Sequence, residues 1–207
     1  TPVPMQLNED AGYNADVDNL NSLVTPHTKL LIVNSPNNPC GSVIPEPDLR
    51  RLAEIAIDND IIVMADEIYK DMYYGDQEHV SITKFPGMRE RTVILDGFSK
   101  SYAMTGWRLG YGVFPDFLVE PVVRLMTNSV SCTSVFSQMA AIAALEGPQD
   151  SVGMMMEEFT KRRDLVVAGL NSLPGITCPE PKGAFYAFPN IKGTGLSSKE
   201  FAEKAMY

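Results

Sequence analysis

Short apolar runs alternate with an amphipathic stretch through the first half of the chain. Three of these runs are continuous and contain β-branched residues, at 29–34, 61–65 and 92–95. Such runs are typical of strands that are buried on both faces of a sheet. Between the first two, residues 46–59 place Leu49, Leu52 and Ala56 on one face, which predicts a crossover helix. This alternation predicts an α/β fold with a mainly parallel sheet.

A fourth apolar stretch, at residues 108–114, also predicts a strand. Only about a dozen residues separate it from the 92–95 strand, which leaves no room for a crossover helix. We therefore expect this strand to pair antiparallel with its predecessor, at one point of an otherwise parallel sheet.

Helical patterns dominate the second half of the chain. They cover residues 115–128, 134–145 and 149–173, and a last one runs from 198 to 207. Residues 176–178 and 184–188 are predicted to be strands of a second, smaller unit. We expect a large unit at 1–148 and a connecting helix with a partial small unit at 149–207.

The composition is ordinary for a globular protein, with 44% hydrophobic and 21% charged residues. The net charge of -9 and the lack of clustered cations in the sequence argue against a nucleic-acid partner. The apolar runs are far too short to cross a bilayer, so we expect no membrane partner. The sequence starts without methionine and stops inside a helical pattern, and we expect it to be part of a longer protein.

Cysteine and histidine usage bear on location and on metal binding. Cys40, Cys132 and Cys178 are odd in number and widely spaced, which indicates reduced thiols and a cytoplasmic protein. His27 and His79 have no ligand-like neighbours in the sequence, so we expect no metal site.

Lys100 follows the 92–95 strand closely, and in open α/β sheets ligands bind outside the carboxyl ends of the strands. Phe98 and Tyr102 give it apolar neighbours, which favour the neutral, nucleophilic amine. Eight residues later comes Arg108, in a rigid glycine-tryptophan setting where its guanidinium fork could bind a phosphate. The alternative is an ordinary solvated lysine in a loop, which is the commoner situation for a lysine considered alone.

Two other strand ends carry polar residues that could bind a ligand. A rigid loop with two prolines follows the 29–34 strand, and its Asn38 could either direct an amide at a ligand or form an ordinary turn. The 61–65 strand is followed by Asp66-Glu67 and then by Tyr69. Carboxylates at such a position can also cap a helix, and the residues alone leave both interpretations open.

Residues 99–111, SKSYAMTGWRLGY, resemble the cofactor-lysine signature of the fold type I pyridoxal-phosphate enzymes, specifically the class I/II aminotransferases. The resemblance implies a three-layer large domain, also with one antiparallel strand at this point, and a small α+β C-terminal domain. It further implies that Arg108 and Ser99 hold the cofactor phosphate. Many members of the family have a serine three residues before the lysine, where this chain has Gly97, so Ser99 or a backbone N–H would have to supply that contact.

Two more motifs resemble those of the same family. Asn38-Pro39-Cys40-Gly41 implies that Asn38 bonds the ring oxygen of the cofactor. The second motif is Asp66-Glu67-Ile68-Tyr69. It implies that Asp66 faces the ring nitrogen of the cofactor and keeps it protonated, while Tyr69 donates a hydrogen bond to the ring oxygen. Lys100 would form an imine with pyridoxal 5'-phosphate and then move a proton at Cα of the amino acid.

The implied activity is transfer of an amino group between an amino acid and a 2-oxo acid by a ping-pong mechanism, in a homodimer. Aspartate is the favoured donor, followed by aromatic amino acids or alanine. The resemblance also implies an N-terminal phosphate loop with a ring-stacking aromatic and a C-terminal arginine for the substrate carboxylate, which this sequence does not reveal. Two alternatives stay open: a pyridoxal-phosphate-dependent lyase or synthase on the same fold, and a non-catalytic aminotransferase-like sensing domain of a transcription regulator.

Overall fold

A computed structural model describes residues 1–206 of the 207-residue chain. The helices and strands, in chain order, are β1 (Leu7–Asn8), β2 (Asn14–Ala15), α1 (Val17–Leu23), β3 (Leu30–Asn34), α2 (Glu46–Asp58), β4 (Ile62–Asp66), β5 (Thr92–Gly97), β6 (Gly110–Val113), α3 (Asp116–Ser129), α4 (Val135–Glu146), α5 (Asp150–Asn171) and α6 (Ser198–Ala205). The α/β fold class is therefore confirmed. Within the described residues, no helix has the length and apolar character needed to cross a membrane.

The main sheet has the strand order β3-β4-β5-β6. The first three strands are parallel, and β6 pairs antiparallel with β5, as its short connection predicts. In this register Asn34 lies beside Asp66, and Asp66 lies beside Leu95. The carboxyl ends of the parallel strands therefore meet at one edge of the sheet, where the loops with the candidate residues begin.

Helix α2 covers one face of this sheet. It begins after Pro45 and has Pro47 in its first turn. Backbone N–H groups in the first turn make no intrahelical hydrogen bond, so a proline is tolerated there. Leu52 and Ala56 on its apolar face are fully buried in the same cluster as Val63 of β4. The amphipathic pattern of the sequence thus becomes the main hydrophobic core, which holds the strand ends in place.

The predicted strands at 176–178 and 184–188 are wrong. The structure has isolated bridges at this point, one between Thr177 and Asn190 and one between Tyr73 and Gly183. Ala184 has a φ angle of 56°, which belongs to the left-handed region and is incompatible with a regular strand. The apolar run at 184–188 is therefore an irregular segment.

Residues 182–184 bond through their backbone to loops of the first unit. The N–H groups of Lys182 and Gly183 donate to the carbonyl of Gly41 at 2.8 and 3.0 Å, and Ala184 N–H donates to Met72 O at 2.9 Å. These bonds cross the boundary expected near residue 150. The two-unit division stays a prediction, but this segment is held by the first unit.

The N-terminal residues contact the same C-terminal region. Strands β1 and β2 form a small antiparallel hairpin. Glu9, in its connection, accepts a hydrogen bond from Lys192 Nζ at 2.8 Å, and the ring of Tyr13 lies edge-on to Phe188 with centroids 5.2 Å apart. Helix α6 begins with a capping box of Ser197 and Glu200, and the last position predicted for it, Tyr207, lies outside the described residues.

Candidate active site

Lys100 lies in the loop between β5 and β6. Two turn hydrogen bonds hold this loop, from Ala103 N–H to Lys100 O at 3.0 Å and from Met104 N–H to Phe98 O at 3.1 Å. The Lys100 amine lies 5.5 Å from the ring centroid of Tyr69 and 5.3 Å from that of Phe185. Among residues 1–206 it forms no hydrogen bond or ion pair, so its nitrogen is available to a ligand.

The aromatic rings near the Lys100 amine are not those of its neighbours in the sequence. Tyr102 turns away and donates its hydroxyl to Gln149 at 3.0 Å, and Ala103 is exposed. The rings that face the amine belong to Tyr69 and Phe185 instead. An apolar, aromatic setting for the amine is nevertheless present, as the hypothesis of a reactive lysine requires.

Asp66 is half-buried at the end of β4, and its Oδ1 accepts a hydrogen bond from Ile68 N–H at 3.3 Å. Burial raises the pKa of its carboxyl group, and the charge of Asp96 raises it further, while the Ile68 bond and the charge of Lys100 oppose the shift. A cationic group placed beside Asp66 would therefore stabilise its ionised form. Residues 68–71 form a turn and no helix begins here, so Asp66 does not cap a helix.

Tyr69 is 2% exposed, and its hydroxyl lies 2.5 Å from the hydroxyl of Tyr186. Burial raises the pKa of Tyr69, the hydrogen bond and charge of Tyr186 raise it further, and the Asn38 side chain opposes the shift. The phenol is therefore protonated over the physiological pH range and can act as a hydrogen-bond donor. Asn38 and Tyr69, which the sequence proposed independently, are neighbours in the fold.

Asn34, which the sequence analysis did not select, connects two candidate loops. Its Nδ2 donates to the backbone oxygen of Asp66 at 3.1 Å, and its Oδ1 accepts from the N–H of Asn38 at 2.7 Å. The residue ends β3, and its amide serves as donor and acceptor at once. Asn34 thereby fixes the Asn38 loop relative to β4.

Ser99 and Arg108 are joined through Thr105. The Thr105 hydroxyl donates to Ser99 O at 2.9 Å, and Arg108 Nη1 donates to Thr105 O at 3.0 Å. Arg108 is exposed and borders a cleft of about 810 Å³, which is also lined by Trp107 and Ser134. Within the described residues, the Arg108 guanidinium uses only Nη1 for a hydrogen bond. Its other N–H groups are therefore free to bind an anion.

Gly97 stands where many class I/II aminotransferases have a serine, and the structure gives a reason for it. A Cβ atom built on Gly97 would lie 2.9 Å from Gly110 Cα and 3.2 Å from Leu109 O. Strands β5 and β6 approach too closely here for a side chain. Glycine therefore permits the close approach of the two strands seen in this chain, and a phosphate contact at this position would have to come from the backbone or from Ser99.

Two buried carboxylates lie next to the site. Asp96 accepts a hydrogen bond from Gly97 N–H at 2.6 Å and is the residue whose charge raises the pKa of Asp66. Glu67, the neighbour of Asp66, accepts from Ser81 Oγ at 2.6 Å and lies 2.9 Å from His79 Nε2. Glu67 is thus a structural partner of the loop that follows β4.

Phe185 and Tyr186 are the functional candidates that the sequence analysis missed. They follow Gly183 and Ala184 in a segment that was predicted to be a strand of the small unit. Their contacts with Tyr69 span more than a hundred residues, and the hydroxyl pair is separated by 117 positions. The local sequence offers only two adjacent aromatic residues shortly after Gly183, and this pattern does not indicate a contact with the distant Tyr69.

Comparison with known proteins gives a consistent result. The model of the family described as "Aminotransferase class I and II" matches residues 1–207. An aspartate aminotransferase of Pyrococcus abyssi is 44% identical over 204 residues, which is 98% of this chain and 52% of that protein. Aromatic-amino-acid aminotransferase 2 of Thermococcus litoralis is also 44% identical, over the same shares of the two chains. The chain spans about half the length of the curated relatives it matches.

Solved structures resemble the chain equally well. A crystal structure of an aromatic aminotransferase from Pyrococcus horikoshii superposes with a TM-score of 0.95 at 41% identity, covering 98% of this chain and 55% of that one. The aspartate aminotransferase from Rhizobium meliloti gives a TM-score of 0.90 at 36% identity, covering 93% of this chain and 49% of that one. Sequence and fold therefore point to the same group of proteins.

Proposed function

The chain belongs to the class I and II aminotransferase family, and from that premise we propose that it carries the reaction centre of a pyridoxal 5'-phosphate-dependent aminotransferase. The observation that carries the proposal is the setting of Lys100. Its amine has no polar partner among residues 1–206, lies over two aromatic rings and follows a strand end beside Asp66. A lysine held in this way is suited to bind a carbonyl covalently.

The donor set fits the proposed cofactor group by group. Asp66 would hold the ring nitrogen, because a half-buried carboxylate with a raised pKa is stabilised by a cationic partner. Tyr69 and Asn38 would bond the ring oxygen. Arg108 and Ser99 would bind the phosphate from the side of the cleft. When bound, pyridoxal phosphate supplies an electrophilic carbonyl and a ring that withdraws electrons from the substrate.

Each residue of the set then has a defined task. Lys100 Nζ would take the proton from Cα of the substrate amino acid. Asp66 keeps the positive charge at the ring nitrogen. The adjacent rings of Tyr69 and Phe185 would shield the amine from water on the side where they lie, since Tyr69 is buried and both ring centroids are within 5.5 Å of the amine. These tasks together support amino-group transfer by a ping-pong mechanism.

We propose that the substrates are an amino acid and a 2-oxo acid, with aspartate as the first donor to test. The support is that relatives named aspartate aminotransferase are up to 44% identical to this chain. A relative of equal identity is named for aromatic amino acids, so an aromatic donor is the second candidate. The homodimer, the two-unit division and the cytoplasmic location stay predictions.

The test uses the full-length protein with bound pyridoxal phosphate. Borohydride reduction followed by peptide mapping should place the cofactor on Lys100, and Lys100→Ala should remove both the label and the turnover. Turnover should depend on an added 2-oxo acid. Label on another lysine would overturn the assignment of Lys100, whereas release of ammonia and a keto acid without an added 2-oxo acid would favour a lyase.

A further inference from the structure

The hydroxyls of Tyr69 and Tyr186 lie 2.5 Å apart, and the two rings meet edge-on with centroids 5.7 Å apart. Phe185 packs on Tyr69 at 5.5 Å and stacks on Phe159 of α5 at 5.5 Å. Tyr69 is therefore enclosed on several sides. Tyr186 bonds its hydroxyl, while the Asn38 side chain and the charge of Asp66 also act on the Tyr69 pKa.

The position of Tyr186 is set by the first unit. The preceding residues bond through their backbone to Gly41 and Met72, as described for the fold. A Cβ atom on Gly183 would lie 2.6 Å from Pro36 Cβ, so the chain passes the loop that contains Asn38 too closely for a side chain at position 183. The Tyr186 hydroxyl is consequently presented to Tyr69 by a rigid segment.

A phenol has one proton to donate and can accept further hydrogen bonds. Either hydroxyl of the pair can be the donor, and the raised pKa of Tyr69 belongs to the arrangement in which Tyr69 donates to Tyr186. Once a bound ligand accepts the proton of Tyr69, Tyr186 donates to the Tyr69 oxygen instead, and this bond polarises Tyr69 and makes it a stronger donor. When Tyr186 is absent, Tyr69 loses both this polarisation and a restraint on the direction of its O–H bond.

We propose that Tyr186 is a positioning residue that acts through Tyr69 and sets the hydrogen bond which Tyr69 donates to the ring oxygen of the cofactor. This inference rests on the proposed function. A donor at the ring oxygen stabilises the form in which the Lys100 imine has lost its proton, because that form concentrates negative charge on the oxygen. Removing Tyr186 should weaken the donor and favour the protonated form.

The experiment is a pH titration of the visible absorbance of the bound cofactor, without substrate, in the full-length protein. Tyr186→Phe should raise the midpoint by about 0.5 to 1 pH unit, the shift expected for a hydrogen bond of ordinary strength. Tyr74→Phe is the matched control. Tyr74 is also buried, its ring lies 4.5 Å from the guanidinium of Arg163, and no hydroxyl contact to the site is present among the described residues.

A double variant tests whether Tyr186 acts through Tyr69. Tyr69→Phe should raise the midpoint by itself, and adding Tyr186→Phe should then cause no further shift. An unchanged midpoint in Tyr186→Phe, or a full shift that persists in the Tyr69→Phe background, would overturn the inference while leaving the proposed function intact. Absence of a Lys100-linked absorbance in the parent would instead overturn the proposed function, and the inference with it.

Discussion

Lys70 Nζ donates a hydrogen bond to the carboxylate of Asp96 at 2.5 Å, and Tyr111 donates its hydroxyl to the same oxygen. Lys70 follows Tyr69 in the turn after β4, and Asp96 lies near the end of β5, shortly before Lys100. The pair therefore ties together the two loops that carry the proposed catalytic groups. Its buried end is the carboxylate, whose side chain is 3% exposed, compared with 33% for Lys70.

We predict that Lys70→Met destabilises the protein by about 2 kcal/mol, because the buried Asp96 carboxylate loses its charged partner. Burial alone would lower the pKa of Lys70, but the hydrogen bond and charge of Asp96 raise it above the ordinary 10.5. A raised lysine pKa stabilises the fold fully below the unfolded pKa, and this stability is lost as the pH rises through the folded pKa.

Denaturant unfolding at several pH values would measure this effect. The difference between Lys70→Met and the parent should persist from neutral pH to about 10 and shrink only at higher pH. Lys84→Met is the control, since Lys84 pairs with Glu46 at the surface and should cost less than about 1 kcal/mol. Equal losses for the two variants would contradict a special contribution of the buried pair.

Gly97→Ser should reduce stability and cofactor affinity, although it restores the residue that many relatives of the class carry. The added Cβ would lie 2.9 Å from Gly110 Cα, so β6 would have to move away from β5 and shift Arg108 with it. The measurements are thermal unfolding and titration of the cofactor-free protein with pyridoxal phosphate. Gly153→Ser in α5, where a Cβ meets no atom within 4 Å, should leave both values close to the parent.

The strands and the antiparallel pairing could be predicted because they depend on local information. The length of the connection before β6 decides its direction, and the apolar runs decide the buried strands. Lys100 and Asp66 could be selected as candidates because Asp66 ends β4 and Lys100 closely follows β5, and their roles stay predictions. The Tyr69–Tyr186 contact could not, since its partners lie 117 positions apart. The prediction of a strand at 184–188 was wrong because Ala184 has a left-handed backbone and its N–H bonds to the distant Met72, which no local pattern indicates.

Arg108→Lys should weaken cofactor binding at least about tenfold, although the charge is kept. Arg108 spends one nitrogen on the carbonyl of Thr105 and has further planar donors for an anion, whereas an ammonium group is a single point. Fluorescence or absorbance titration of the cofactor-free protein would measure the affinity. Arg162→Lys, at an exposed position on α5, is the control. Equal affinity in Arg108→Lys and in the parent would argue against phosphate binding by Arg108.

Asp66→Asn separates a catalytic carboxylate from a structural one through two opposite effects. The folded pKa of Asp66 is raised above its ordinary 3.8, mainly by burial, so the ionised form destabilises the cofactor-free fold at neutral pH. Asparagine removes that cost. The cofactor-free variant should therefore be more stable than the parent at pH 7, and this gain should fall to zero as the pH drops below the unfolded pKa.

With cofactor bound, the same variant should lose at least about a thousandfold in kcat, or roughly 4 kcal/mol, because the ring nitrogen no longer has an anionic partner. Unfolding curves of the cofactor-free protein at pH 7 and pH 3.5 measure the first effect, and single-turnover kinetics with an α-deuterated amino acid measure the second. A structural carboxylate would give the reverse result, with stability lost at pH 7 and proton abstraction at Cα near the parent rate. Asparagine keeps the shape of aspartate and can still form hydrogen bonds, so the main difference between parent and variant is the charge at position 66. A gain in stability together with a loss of rate would therefore identify Asp66 as a residue retained for catalysis at a cost in stability.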